Sequence, residues 1–221
     1  MNVTDALISR FTCRAFKSEP IKKKMILDIL EAATRAPSWA NTQPWEIFVA
    51  GGKVLENIRE NFLKNVQNDV PRAPENPIPD KWPPDLKKRS EELRAERLKI
   101  LGLKGNDPAA LQANFEQNAR FFRAPAVIYL CLDRSLTPWS MFDLGLLAQS
   151  IMLEAREYGL DSAPAVMLVA YPEIIRAELG IPENLSIVFG IALGHADGQS
   201  PQNKYRTPRR PIKEVVRFQG F

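Results

Sequence analysis

Two short stretches of this 221-residue chain concentrate side chains able to grip a ligand. In Arg10-Phe11-Thr12-Cys13-Arg14, two guanidiniums and a hydroxyl stand at alternate positions, which lie on one side of an extended chain. Guanidinium forks match phosphate oxygens and the hydroxyl adds a donor, so the stretch suits a phosphate with an adjoining polyol. The second stretch, Ala36 to Trp45 (APSWANTQPW), is dense in amides, hydroxyls and indoles. Amide side chains both donate and accept, which suits a ring edge carrying alternating C=O and N–H. Taken alone, each has a commoner reading: surface charge for the first, a helix-to-strand turn satisfying its own backbone for the second.

Other chemistries are poorly supplied. The single histidine, His195, follows a glycine just past a strand, so Ser-His-Asp and Cys-His catalysis have one poor candidate. Histidine-based metal sites fail on the same count, and no carboxylates have calcium-site or dinuclear spacing. There is no GxxxxGK[ST] loop and no GxGxxG after a strand. Cys13 and Cys131 form no CxxC and read as buried thiols. Either the protein is not an enzyme, or a carried cofactor supplies the reactivity.

The net charge of +4 fits anionic small ligands. Basic residues in KKRSEELRAERLK are interleaved with acids, which reads as a solvated face and not a nucleic-acid stripe. The N-terminus has no signal-like apolar run and no stretch reaches membrane-spanning length, so a cytoplasmic protein without membrane contact is expected.

The elements that must position these residues follow from periodicity. A helix over 3–9 capped by Thr4 precedes an extended segment, Arg10 to Phe16. Ile21, Met25, Ile26, Ile29, Leu30 and Ala33 recur at helical spacing, with Pro20 in the first turn and Pro37 as the stop. A strand over 45–50, a Gly51–Gly52 turn and a helix over 54–66 come next. A proline-rich loop (71–84), a charged helix (85–101) and a helix over 108–122 precede a central buried strand at 126–132. The most apolar helix spans 138–158; a strand or loop at 163–170, a short helix from Pro172 to Gly180 and a strand at 186–193 follow. The polar, basic tail from 197 is expected to wrap over a neighbour, and one domain over 1–221 suffices.

Four blocks in order, RFTCRAF, EAATRAPSWANTQPWEIFV, MFDLGLLAQSIMLEAREYGLDSAP and the basic tail, resemble the FMN-dependent nitroreductase family. The likeness is strongest to the branch with an APSxxNTQPW signature, which contains nitrobenzoate and other nitroaromatic reductases. It implies an α+β fold: a three-layer sandwich with a central, mostly antiparallel sheet flanked by helices, built as an intertwined homodimer with FMN at the subunit interface. Arg10, Phe11, Thr12 and Arg14 would surround phosphate, ribityl chain and pyrimidine edge, and Ser38, Asn41 and Gln43 would approach from the other subunit. Pro164, Ala165 and Val166 would lay backbone along the flavin; Arg209, with Arg206 as companion, would hold phosphate. Gln117 and Arg120 fall where relatives carry an Asn and a Lys that touch FMN.

The implied activity is ping-pong hydride transfer through flavin N5, from NADH or NADPH to a small aromatic acceptor, nitroaromatic or quinone, with no catalytic side chain. Reductive dehalogenation, flavin degradation or non-catalytic flavin sensing are alternatives on the same scaffold. The insertion at 69–105 would be a lid that decides among acceptors, and 197–221 a C-terminal extension. Gly145 and Gln149 are assigned to helix packing, and Met141, Phe142, Trp39 and Trp139 to the core before a substrate pocket.

Overall fold

The central strand has no polar face. In the computed structural model, which describes residues 1–103 and 108–221, β2 (Ala126–Asp133) is buried from Ala126 to Leu132. Val127, Tyr129 and Cys131 enter one core and Ala126, Ile128, Leu130 and Leu132 the other, the alternation of a pleated strand. β1 (Trp45–Gly51) pairs with one side of β2; β4 (Leu185–Gly194) pairs with the other, and β3 (Asp161–Pro164) lies beyond β4. The order is β1-β2-β4-β3, with every strand pair antiparallel.

Helices cover both faces. The first core takes residues from α3 (Gly52–Gln67), α5 (Pro108–Ala119) and α7 (Pro172–Leu179). The second takes Ile26, Ile29 and Ala33 of α2 (Lys23–Ala33) and Leu144, Leu147, Ile151 and Ala155 of α6 (Pro138–Glu157). This is the expected α+β sandwich of helix, sheet and helix. α1 (Val3–Ser9), α4 (Pro84–Ile100) and α8 (Ile212–Val215) complete the helices. Among the described residues, no helix is long and apolar enough to cross a membrane.

Several boundaries differ from expectation for local reasons. Asn2, not Thr4, caps α1, because its side-chain oxygen accepts the Asp5 N–H. α2 begins only at Lys23, so Pro20 lies ahead of its first turn, and it ends at Ala33, short of Pro37. α3 starts at Gly52 itself, whose φ of 52° suits glycine. α5 stops at Ala119, since Phe121, Phe122 and Arg123 take positive φ of 53°, 56° and 65°. That turn is held by burial of both rings, Phe121 standing edge-on to Phe62 with centroids 4.9 Å apart. Cys13 and Cys131 are buried as expected, and burial pushes both thiols up to about 12.

The proline-rich segment is pinned at its start. Ala73 N–H donates to Ala170 O (3.0 Å) and Tyr171 Oη to Val70 O (3.0 Å). Glu75 reaches the body of the fold, accepting from Ile187 N–H, from Arg134 and from Arg176 Nη2 (2.9 Å). Burial pushes its carboxyl up, but these donors and cations outweigh that and hold it below the usual range. A carboxylate whose folded pKa is depressed adds stability that is present at neutral pH and lost as pH falls through the folded value. Acidification below the ordinary glutamate range is therefore expected to release residues 70–76, read as accelerated proteolysis there before global unfolding. Glu75→Ala should cost about 3 kcal/mol in denaturant unfolding, the lower end for breaking a buried pair, because carbonyls of Ile181, Pro182 and Leu185 still hold Arg176.

Candidate cofactor site

The Arg10–Phe16 segment lies along the β3 edge of the sheet. Thr12 forms a parallel bridge with Ser162, and Cys13 N–H donates to Ser162 O at 2.9 Å. Phe16 pairs with Ala196, and Lys17 N–H donates to His195 O at 2.8 Å. The C-terminal tail returns over this segment. Asn203, in a 3₁₀ turn at Pro201–Asn203, accepts Arg14 N–H through Oδ1 (2.8 Å) and donates Nδ2 to Ala15 O (2.7 Å) and Asp197 O (2.9 Å). This buried amide fixes both segments that carry the expected arginines, and nothing in its sequence context marked it.

The guanidiniums lie along this edge without forming ion pairs among the described residues, and one acid, Asp161, feels the charge of Arg206. Arg10 is held below the ordinary range by burial and then by the nearby charge of Arg209. Arg14 is lowered to about 10 by burial and then by Arg97, a residue of α4 that the sequence reading did not single out. Burial also lowers Arg97. Arg206 stacks over the Phe11 ring, 3.8 Å from its centroid, and donates to Asn203 O at 2.6 Å. Among the described residues, none of these five arginines forms an ion pair. Such an edge suits an anion with several acceptor oxygens. Insertion helix α4 packs on the Pro201–Asn203 turn, which is how the insertion comes to contribute a cation.

The 164–166 strip is on the same edge, following Ser162 in β3. Pro164 pairs with Ile191, and Ala165 N–H reaches Gly190 O at 3.4 Å. The strip continues into a 3₁₀ turn at Val166–Val169, with Val166 half exposed. Gly190 permits the approach: a Cβ there would stand 2.6 Å from Leu168 Cβ. Ser162 Oγ is buried beneath this edge with no hydrogen-bond partner.

Ser38, Asn41 and Gln43 are elsewhere. Trp39–Asn41 is a 3₁₀ turn, and Ala40, Asn41 and Gln43 have φ of 50°, 57° and 46°. Gln43 N–H donates to Ser38 Oγ (2.9 Å), and Gln43 Nε2 approaches Asn41 O and Oδ1 (3.3 Å each). The loop packs on α6, where Trp39 meets Trp139 edge-on at 5.8 Å. No described hydrogen bond or stacking contact joins it to the arginines.

Two expectations are corrected here. Trp39, Trp139 and Phe142 are not core: they are 64%, 64% and 63% exposed, and Met141 is exposed as well. The two indoles and Phe142 help line a cavity of about 500 Å³ together with Pro37, Ser38, Asp143 and Leu146. Gly145 permits no close approach within the chain, since a Cβ there meets nothing within 4 Å. Arg120 lines a different cavity, with Arg59 and Arg123, while Gln117 is half buried on α5. His195 is held structurally, its Nδ1 3.2 Å from Gly159 O. Among the described residues, no group of three metal-ligating side chains is poised to hold an ion.

Comparison with known proteins adds a family. The chain matches the profile described as "Nitroreductase family" over residues 7–195. It is 32% identical over 218 residues to 4-nitrobenzoate reductase of Pseudomonas putida, covering 98% of this chain and 96% of that protein. Among solved structures it superposes on an FMN- and NADPH-dependent nitroreductase NfnB from a Sphigopyxis species with a TM-score of 0.94, at 32% identity and full coverage of both chains. An FMN-dependent nitroreductase NfnB from Mycobacterium smegmatis, solved in complex with NADPH, gives a TM-score of 0.93 at 28% identity, over 98% of this chain and 97% of that one.

The strip at 164–168 rests on a glycine that one methyl group would disturb. Gly190→Ala is expected to push Leu168 and the strip off β4 and to cost about 1–3 kcal/mol, as overpacking does, in a urea unfolding titration.

Proposed function

The chain belongs to the nitroreductase family, and from that premise we propose that it is an FMN-dependent oxidoreductase drawing hydride from NADH or NADPH and delivering it to nitroaromatic acceptors. The carrying observation is the edge along which Arg10 lies near Arg209, Arg14 near Arg97, and Arg206 over Phe11, none of them in an ion pair among the described residues. Its donor set fits FMN: guanidiniums for a phosphate, the Thr12 hydroxyl for the ribityl chain, and the 164–166 backbone for the ring. When bound, FMN supplies the two-electron hydride chemistry that no side chain of this protein can perform.

The residues then have separate tasks. Arg10 and Arg209 neutralise the phosphate, and Asn203 keeps Arg14 facing the same ligand by fixing its backbone. Phe11 is covered by Arg206, which shields the flank of the site from water. Arg14, partly buried beside Arg97, would hold the pyrimidine edge of the flavin and lend it positive charge, an effect that burial strengthens. Ser38, Asn41 and Gln43 complete the site from a second copy. A homodimer is supported by their separation from the arginines within one chain and by exposed Trp39, Trp139, Phe142, Ile212 and Phe218. The single domain of 1–221, with its insertion and its extension, is read as the repeating unit of that dimer, working in the cytosol where nicotinamide donors are found.

Purified protein is expected to be yellow and to lose its flavin absorbance on anaerobic addition of NADH or NADPH, recovering it on addition of nitrobenzoate or nitrobenzene. A colourless protein that takes up no FMN overturns the proposal. Arg10→Ala and Arg209→Ala should each weaken FMN retention by about tenfold or more, the effect of one charge-assisted phosphate contact, with the fold intact by circular dichroism. Light scattering should give a particle of two 25.0 kDa chains; a monomer at working concentration would defeat the shared site.

A further inference from the structure

Asp143 is an unusual residue for its place. It lies within α6 at 3% exposure, and among the described residues no lysine or arginine pairs with it. Oδ1 accepts the N–H of Trp39, 104 residues away in sequence, at 3.2 Å. Oδ2 is buried with no hydrogen-bond partner. An apolar side chain at such a position is commonly neutral or stabilising relative to a buried, unpaired carboxylate. Packing therefore does not account for an acid here.

The segment it touches does. Ala40, Asn41 and Gln43 all sit in the left-handed region, which non-glycine residues keep only when their surroundings hold them. The loop's other hydrogen bonds are internal: Asn41 N–H to Ser38 O (3.0 Å), Thr42 N–H to Trp39 O (3.0 Å) and Gln43 N–H to Ser38 Oγ (2.9 Å). Among the described residues, Trp39 N–H to Asp143 is the one hydrogen bond that ties residues 38–43 to the rest of the chain. The Trp39–Trp139 edge contact runs to the same helix.

We infer that Asp143 is a positioning residue: its carboxylate anchors the Ser38–Gln43 loop to α6 and holds it in left-handed geometry, so that Ser38, Asn41 and Gln43 are aimed before a ligand arrives. That these side chains meet FMN rests on the functional reading above; the anchoring does not.

The test compares the full-length protein with Asp143→Ala, Asp143→Leu and Asp143→Asn. Leucine fills the space should the alanine cavity unfold the helix, and asparagine keeps an acceptor for Trp39 N–H. In the apoproteins, the near-ultraviolet circular dichroism of the indole pair and hydrogen exchange at 38–43 report the loop. FMN titration reports the consequence, and the melting temperature reports global stability. Alanine and leucine are expected to alter the indole signal, accelerate exchange at 38–43 and weaken FMN binding about tenfold or more, with the melting temperature unchanged or raised. Asparagine should restore most of the loop signal and of the affinity. An unchanged indole signal and unchanged exchange in both the alanine and leucine variants overturn the inference, as does a loss of FMN affinity that merely follows a fall in melting temperature. If wild-type protein binds no FMN, the functional reading fails by itself, and the loop measurements still decide the role of Asp143.

Discussion

Burial of β2 on both faces is the constraint from which the rest of the architecture follows. A strand running Val-Ile-Tyr-Leu-Cys-Leu has no side to offer water, so helices must cover the sheet above and below. α3, α5 and α7 supply one cover, α2 and α6 the other. The arginine edge is assembled at the β3 side of the sheet from the segment after α1 and the returning tail. The amide-rich loop is carried between α2 and β1 and held to α6. Within one chain, no described hydrogen bond or stacking contact joins the two groups.

The insertion is tied into this arrangement at both of its described parts. Its first stretch is stapled to Ala170, Tyr171 and Ile187, immediately behind the strip that follows β3. Its helix reaches the C-terminal turn and adds Arg97 to the cluster. The charged face of α4, with Lys87 and Glu91 spaced one turn apart, remains in solvent as the interleaved charges had suggested. One charged helix thus serves two purposes, a solvated outer face and a single inward guanidinium.

Much of this was legible in the chain. The order and types of the elements followed from hydrophobic period, because α2 and α3 have one apolar stripe each and β2 has an unbroken apolar run. The arginines and the APSWANTQPW loop were visible because guanidiniums and amides are rare in such density. Asn203 and Asp143 were not, since their meaning lies in partners 189 and 104 residues away, and local spacing carries no trace of such a pairing. Trp39, Trp139 and Phe142 were misassigned for a related reason. Helical spacing shows that apolar groups share a face, but it does not distinguish a face turned to the chain's own core from one left open to another surface.

The Asn203 clamp has a consequence for how the molecule is made. By bonding to Arg14 and Ala15 it closes a loop spanning nearly the whole polypeptide, an ordering step whose entropy must be met before the contact repays it. The sheet and its two helical covers can form from contacts nearer in sequence, whereas the arginine edge depends on residue 203 and the arginines beyond it. A chain cut before residue 203 would keep the contacts of the sandwich and lose the clamp that fixes the Arg14 and Ala15 backbone.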